Sequence, residues 1–389
     1  MDIQAFYPED IPTDIYRDAL QKAVFTEHWL LNQSDMDLYF EICGFRLRIP
    51  AGKRCSLTGW EQVLCDMETL HQPFYGASQG VFRGGFQFAG TGEMYIYDAL
   101  VVFSPEGSRC GGYYSHHRSL EECIALINRF QLEKVIIIGD DLSFLSRCPS
   151  LKDIWIHYPQ GAERCMDLTP VYEMNYVRTF SCTAPPENIP RKNIFPIDYT
   201  RMPGLRHLSV YGEKNGNFNL VPSLETLFLT GDSTYMDLSN ISCSPRFKAI
   251  DFLQCGIRSL NGIGKYPMQQ VSLSYLRRLE DISELAKNGS TLRALSIEAC
   301  GKISDFSCLH ELVHLEHLVL LGSNHLPSLD FLRKMPELKT FVFSMEVDDG
   351  DLTPCLRIPY ASCNKIKRHY NLKEKDLPKT KNTVPFRLK

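Results

Sequence analysis

The sequence predicts an α/β protein built mainly from a repeat solenoid, a curved parallel sheet of short strands, with a small α+β domain before it. Two observations lead to this prediction. Between Leu132 and Phe343 the chain repeats one phrase ten times: leucine or a substitute, two residues, an apolar residue, one residue, and another apolar residue. Successive copies start 19 to 28 residues apart, close to the roughly 20–29 residues typical of stacked strand-and-turn repeats.

The apolar positions of the phrase explain why each copy should form a strand. The fourth and sixth residues alternate with variable ones, so their side chains point to one side of an extended chain. One repeat cannot bury that side alone, whereas stacked repeats bury it against each other. The phrase therefore predicts burial of Leu208, Leu227, Leu295 and Leu318, each the fourth residue of a clear copy. The ten copies begin at Leu132, Leu151, Val177, Leu205, Leu224, Phe247, Met268, Leu292, Leu315 and Leu338.

These copies resemble leucine-rich repeats. Cys255 and Cys300 stand at the ninth position of their copies and Asn324 at the tenth, where many such repeats carry Cys or Asn. Second halves such as IRSLNGIG and LPSLDFLRKM resemble the irregular bacterial internalin-like class, in which the return segment is a short 3₁₀ or α turn. The second and third copies depart from that class through long inserts that contain proline. The resemblance covers residues 132 to about 355.

The pattern divides the chain into four regions. Residues 1–118 lack the phrase and should form the small α+β domain, with a helix near residues 14–25 and a hairpin of strands at 38–42 and 45–49. Residues 119–131 begin with the capping-box pair Ser119 and Glu122 and should form a helix that covers the open end of the solenoid. Residues 132–355 are the solenoid, and 356–389 are a C-terminal cap and basic tail.

Composition narrows the class of protein. The 389 residues carry a net charge of −4 and no apolar run near the roughly 20 residues that a membrane span needs. The acidic N-terminal stretch MDIQAFYPEDIP lacks the features of a secretory signal, so we expect a cytoplasmic protein. Its 14 cysteines form no C-x-x-C pair, which favours reduced, buried thiols and predicts no metal and no cofactor.

Three motifs keep other functions open. The stretch 76–80 matches the G-x-S-x-G pattern around Ser78, but neither a buried strand before it nor a helix after it is indicated. His116 and His117 lie between Cys110 and Cys123 at a spacing that no common zinc module has. An enzyme with chemistry in residues 1–118 and substrate-selecting repeats is therefore the alternative to a binding protein. Ten basic residues from Arg357 onward leave contact with nucleic acid or anionic lipid open as a third option.

The repeat register also predicts which side chains a partner would meet. Residues between the apolar positions should lie on the concave sheet, where aromatic and arginine side chains are typical of binding hot spots. The hypothesis is a non-enzymatic scaffold that binds a partner protein there, and the resemblance to bacterial repeats extends it to a toxin-neutralising or phage-defence component. The predicted partner-binding residues are Trp155, His157, Arg178, Arg206, Tyr211, Phe228, Asp251, Arg293 and Glu298.

Overall fold

The computed structural model describes most of the chain, and it separates into two compact units. The first comprises Met1–Tyr75 with Met94–Phe195, and the second Gly76–Glu93 with Pro196–Lys389. Ser78, the glycine-rich stretch 76–92, and Cys110, His116 and His117 lie outside the described residues. The described residues are 4–5, 11–25, 29–42, 45–56, 100–108, 119–174, 176–190, 196–211, 217–231 and 236–379.

The first unit contains the predicted helix and hairpin. Helix α1 (Thr13–Gln21) packs on its sheet through Tyr16, whose hydroxyl donates to the Tyr39 carbonyl at 2.9 Å and accepts from the Tyr39 amide at 2.8 Å. Six short strands of the described chain accompany it: β1 (Gln4–Ala5), β2 (Ala23–Phe25), β3 (Trp29–Asn32), β4 (Leu38–Ile42), β5 (Phe45–Ile49) and β6 (Arg54–Ser56). They form two antiparallel sheets with the orders β1-β4-β5 and β2-β3-β6.

The parallel strands of the first unit begin earlier than the repeats predict. Strand β7 (Leu100–Ser104) pairs in parallel with β8 (Lys134–Gly139), and β9 (Asp153–His157) and β10 (Thr179–Cys182) follow. The expected boundary at residue 118 is therefore wrong for β7. Its sequence LVVFS is one apolar run without the leucine phrase, as in a strand buried on both faces.

Helix α2 (Leu120–Phe130) has the predicted capping box but not the predicted role. The Ser119 amide donates to Glu122 Oε2 at 2.8 Å, and the Glu122 amide donates back to Ser119 Oγ. The helix packs against β7 and connects it to β8, so it is the crossover of a parallel β-α-β unit rather than a cap over an open end. A short helix α3 (Thr169–Tyr172) lies in the proline-containing insert between β9 and β10.

The second unit is a regular solenoid. Its ladder strands follow chain order in parallel, and each predicted copy of the phrase yields a strand that begins two residues after the predicted start. Two-residue strands β17 (His325–Leu326) and β19 (Glu346–Val347) form a separate parallel pair. The ladder strands are β11 (His207–Tyr211), β12 (Thr226–Thr230), β13 (Ala249–Leu253), β14 (Gln270–Ser274), β15 (Ala294–Glu298), β16 (His317–Leu321), β18 (Thr340–Phe343) and β20 (Tyr360–Cys363).

Short 3₁₀ segments return the chain between strands, as the resemblance implied. Examples are Ile263–Lys265, Ser283–Asn288 and Ser307–Glu311, and neighbouring segments stack on one another. The core lies between these segments and the sheet. It contains the four predicted leucines Leu208, Leu227, Leu295 and Leu318, each with no exposed surface, which confirms the register of the phrase.

The solenoid ends later than residue 355. Strand β20 pairs in parallel with β18, and Lys379 forms an antiparallel bridge with Tyr360 on the other edge of β20. Glu374 accepts from Ser362 Oγ at 2.9 Å and from the Cys363 amide at 2.7 Å. Residues up to 379 therefore fold over the last strand, within the region predicted to be a C-terminal cap and basic tail. Covering an edge strand needs backbone hydrogen bonds rather than a leucine phrase, so the repeat pattern does not predict it.

Candidate binding face

Within each unit, the register of the ladder brings the third, fifth and seventh residues of its repeats to the sheet face opposite the 3₁₀ segments. We call this the variable face. It is opposite the buried fourth and sixth residues, because side chains alternate along a strand. The second residue of each repeat stands just before its strand and lines the edge where the strands begin. The nine predicted binding residues lie on this face or at this edge, three in the first unit and six in the second.

In the first unit the predicted residues are held by internal contacts. Arg178 donates through Nε to Asp153 Oδ1 at 2.9 Å and through Nη2 to Glu133 Oε2 at 3.2 Å. Glu133 also pairs with Lys152. This network joins three successive repeats, so Arg178 has a structural role at the edge. Trp155 is only 8% exposed, although the sequence predicted an exposed aromatic side chain, and His157 is half-buried.

In the second unit the aromatic pair is the most prominent feature of the variable face. Tyr211 and Phe228 lie on adjacent strands, with ring centroids 5.3 Å apart and planes tilted by 48°. Both side chains are half-buried. Such tilted pairs at 4.5–7 Å are favourable beyond the area that they bury, at roughly 0.5–1.5 kcal/mol. The two rings therefore form one preorganised apolar contact across two repeats.

Charged residues at the strand edge of the second unit pair with each other. Glu225 lies between Arg206, at 3.6 Å, and Lys248, at 3.5 Å. Arg293 instead donates to the backbone carbonyls of Ser290 and Leu292, at 3.1 and 3.3 Å. At the other end of the strands, Glu298 accepts a hydrogen bond from the Tyr275 hydroxyl at 2.9 Å. Arg206, Arg293 and Glu298 thus surround the face at both ends of its strands.

A row of polar side chains continues from the aromatic pair across the fifth positions. Phe228 is in register with Asp251, Asp251 with Ser272, and Ser272 with Ser296. Asp251 is 2% exposed and Ser272 1%. Register neighbours on both flanking strands stand roughly 4.7–4.9 Å away and shield short side chains. The predicted binding residues include Asp251 but not Ser272 and Ser274, which the same register places on this face.

Burial changes the protonation of two groups on this face. It raises the pKa of Asp251 well above its ordinary value, with only the Ser272 hydroxyl opposing the shift. It lowers the pKa of His317 to about 3, helped by the positive charge of Lys339. His317 stands at the third position between Ala294 and Thr340. Burial therefore disfavours the charged form of both groups, and His317 is neutral at neutral pH.

We expect His317 to make the protein sensitive to acid. Below about pH 6.5 the unfolded chain protonates this histidine while the folded chain does not, so the free energy of unfolding falls as the pH drops towards 3. The slope from this residue is about 1.4 kcal/mol per pH unit. Chemical denaturation at a series of pH values should show a flatter acid limb for His317→Gln. Parallel profiles for the two proteins would mean that the folded state does not hold this histidine neutral.

The described residues at this face have neither the arrangement of a metal centre nor a reactive thiol. No group of three or more His, Cys, Asp and Glu side chains among them is placed to hold a metal ion. Burial raises the pKa of the Cys255 thiol to about 12 and of the Cys300 thiol to about 11, so neither is a reactive thiolate. None of the helices in the described part of the chain has the length and apolar character to span a membrane.

A second concave feature lies in the first unit, at the carboxyl ends of β7, β8 and β9. This cleft has a volume of about 610 Å³. Asp140 and Arg164, which line it, form an ion pair at 3.6 Å. Ser108, also in the lining, donates to the Pro105 carbonyl at 2.7 Å. The described residues that line the cleft include no histidine or cysteine, so none of them offers Ser108 an imidazole base of the Ser–His kind.

The chain has the leucine-rich repeat fold. Its sequence matches no protein-family model and no curated protein. An internalin (inlF) from Listeria monocytogenes is similar, with a TM-score of 0.42 and 16% identity over 61% of this chain and 69% of that chain. The functional domain of InlJ from Listeria monocytogenes, described as including a cysteine ladder, gives a TM-score of 0.40 and 14% identity over 59% of this chain and 47% of that chain. The likeness concerns the fold alone.

Proposed function

We propose that this protein is a non-enzymatic scaffold that binds a partner protein through the variable face of its repeats. The observation that carries the proposal is the Tyr211–Phe228 pair, two half-buried rings in contact on adjacent strands. Aromatic and arginine side chains dominate binding hot spots, since they bury much area and are rigid. Arg206, Arg293 and Glu298 supply the polar rim that such a centre needs.

The rest of the variable face supports the same function. It changes in character along the ladder of the second unit, from the aromatic pair, through the polar row of Asp251, Ser272 and Ser296, to apolar Val319 and Val342. Seven parallel strands at roughly 4.8 Å spacing extend this series over about 30 Å. The fifth-position side chains beyond the aromatic pair are at most 2% exposed, so the half-buried aromatic pair is the accessible part of this series and the other two zones set the character of the face beside it.

We expect Tyr211→Ala and Phe228→Ala each to weaken partner binding by about 30-fold while the protein stays folded. Each change removes one half of the aromatic contact and leaves the leucine core intact. The partner would be captured from the native cell with the full chain and identified by mass spectrometry. Its affinity for each variant would then be measured by calorimetry, with the thermal unfolding of each variant in parallel.

Tyr176→Ala is the matched control, because Tyr176 is an exposed tyrosine away from the ladder strands. Ser78→Ala tests the enzyme alternative, and it should leave any biological activity unchanged. If the aromatic variants bind at full strength while Ser78→Ala abolishes activity, the scaffold function is wrong and the enzyme takes its place.

A further inference from the structure

Asp251 is the only ionisable residue among the described residues in the centre of the variable face. The third, fifth and seventh positions of β12, β13 and β14 form a grid of nine side chains around it, and the other eight are uncharged. On its own strand Ala249 and Leu253 flank it, and across the ladder Phe228 and Ser272 do. A carboxyl group in such surroundings is unfavourable for the fold itself, since burial penalises its charged form.

Several polar atoms of this centre lack a partner within the described chain. Asp251 Oδ1, Gln270 Nε2, Ser272 Oγ and Ser274 Oγ are buried and have no hydrogen-bond partner within 3.5 Å there, although the Ser272 hydroxyl is close enough to Asp251 to oppose the rise of its pKa. No described Lys, Arg or His forms an ion pair with Asp251, and the nearby edge cation Lys248 pairs with Glu225. Native proteins keep few buried polar atoms unpaired, and those that remain call for an explanation. Here four of them lie on two adjacent strands.

Building on the proposed binding function, we propose that Asp251 receives an arginine side chain of the partner protein. The Phe228 ring lies along the guanidinium face, and the Ser272 hydroxyl is a second acceptor. Asp251 is the one residue of this grid that can carry a charge. When it is a carboxylate, only a cation can balance that charge. Arginine fits better than lysine, because its planar guanidinium stacks on an aromatic ring and donates several hydrogen bonds in one plane.

The half-buried rings of Tyr211 and Phe228 mark the side from which the guanidinium enters. Burial raises the pKa of the Asp251 carboxyl group and disfavours its charged form. On binding, the guanidinium favours the carboxylate, so any proton on the carboxyl group leaves to solvent and the carboxylate accepts charge-assisted N–H···O bonds. The other titratable or charged groups near Asp251 are Glu225 and Lys248 at the strand edge, Cys255 at the end of β13, and Glu298 two strands away.

The test uses the full chain and two blocked peptides, Gly-Gly-Arg-Gly-Gly and the same peptide with citrulline in place of arginine. Citrulline keeps the shape and hydrogen-bonding surface but has no charge. Binding is followed by NMR, and proton release by calorimetry in buffers of different ionisation enthalpy. We expect the arginine peptide to bind about tenfold or more tightly than the citrulline peptide, with release of a proton.

Asp251→Asn should remove that preference and the proton release, while Asp14→Asn, an exposed acid on α1, should keep both. The unfolding midpoint of Asp251→Asn is a second measurement that does not involve the peptides. It should stay the same or rise, because the fold loses a buried ionisable group. A lowered midpoint would mean that Asp251 supports the fold, and equal affinity for the two peptides would mean that no cation is recognised. Either result overturns the inference.

If Phe228→Ala still abolishes capture of the partner while Asp251→Asn does not weaken it, the scaffold function stands and only the inference fails.

Discussion

Leu295→Asp should unfold the second unit. Leu295 is the fourth residue of a clear repeat, has no exposed surface, and lies in register between Val271 and Leu318 near the middle of the ladder. Loss of a buried leucine side chain costs about 2–5 kcal/mol, and an unpaired buried carboxylate adds several kcal/mol. The sum reaches the roughly 5–15 kcal/mol that stabilise a typical domain.

Far-UV circular dichroism and calorimetry of the purified variant measure this outcome. The control is Leu220→Asp, on the return segment Phe218–Leu220, where the leucine is 56% exposed. It should melt within a few degrees of the wild type. A Leu295→Asp protein with an unchanged melting temperature would contradict the repeat register itself.

Gly262→Ala should lower the free energy of unfolding by about 3 kcal/mol, for a reason unrelated to leucine packing. Gly262 has φ of +96°, in the region that favours glycine, and its amide donates to Glu284 Oε2 at 2.9 Å. A Cβ atom there would stand 2.6 Å from the carbonyl carbon of Leu238 and 2.7 Å from the Ser239 amide nitrogen. Because both contacts are with backbone, the neighbouring repeat must shift.

Gly301→Ala is the matched control for this prediction. Gly301 has an ordinary φ, and a Cβ atom there would meet nothing within 4 Å. Urea unfolding of the two variants should separate them clearly, with Gly301→Ala close to the wild type. Similar midpoints for both variants would show that the close approach to Leu238 does not exist.

The sequence predicts the leucine strands well because their signal is local and repeated. Leu208, Leu227, Leu295 and Leu318 are all buried, as the alternating phrase requires. The two outermost parallel strands, Leu100–Ser104 and Tyr360–Cys363, carry no leucine phrase and owe their place to pairing with a neighbour. Pairing of distant segments leaves no periodic trace, so the sequence does not predict that these two segments join the ladder.

The repeat register predicts on which side of its strand a residue lies, but not the environment of its side chain. The register placed Tyr211, Phe228 and Asp251 on one face, and the structure has them there. It could not show that Arg178 is held by Glu133 and Asp153, or that Asp251 is buried, since both depend on how neighbouring repeats stack. Ring contact and burial are properties of the assembled ladder, whereas side-chain direction follows from the strand alone.

Hydroxyl-radical footprinting of the partner complex tests the central claim most directly, because it reports the accessibility of individual side chains. If the variable face binds the partner, Tyr211 and Phe228 should lose reactivity when the complex forms. Leu220 and Met236, exposed side chains outside the ladder strands, should keep theirs. Protection of Leu220 and Met236 with unchanged reactivity of Tyr211 and Phe228 would place the partner away from the variable face and contradict the proposed function.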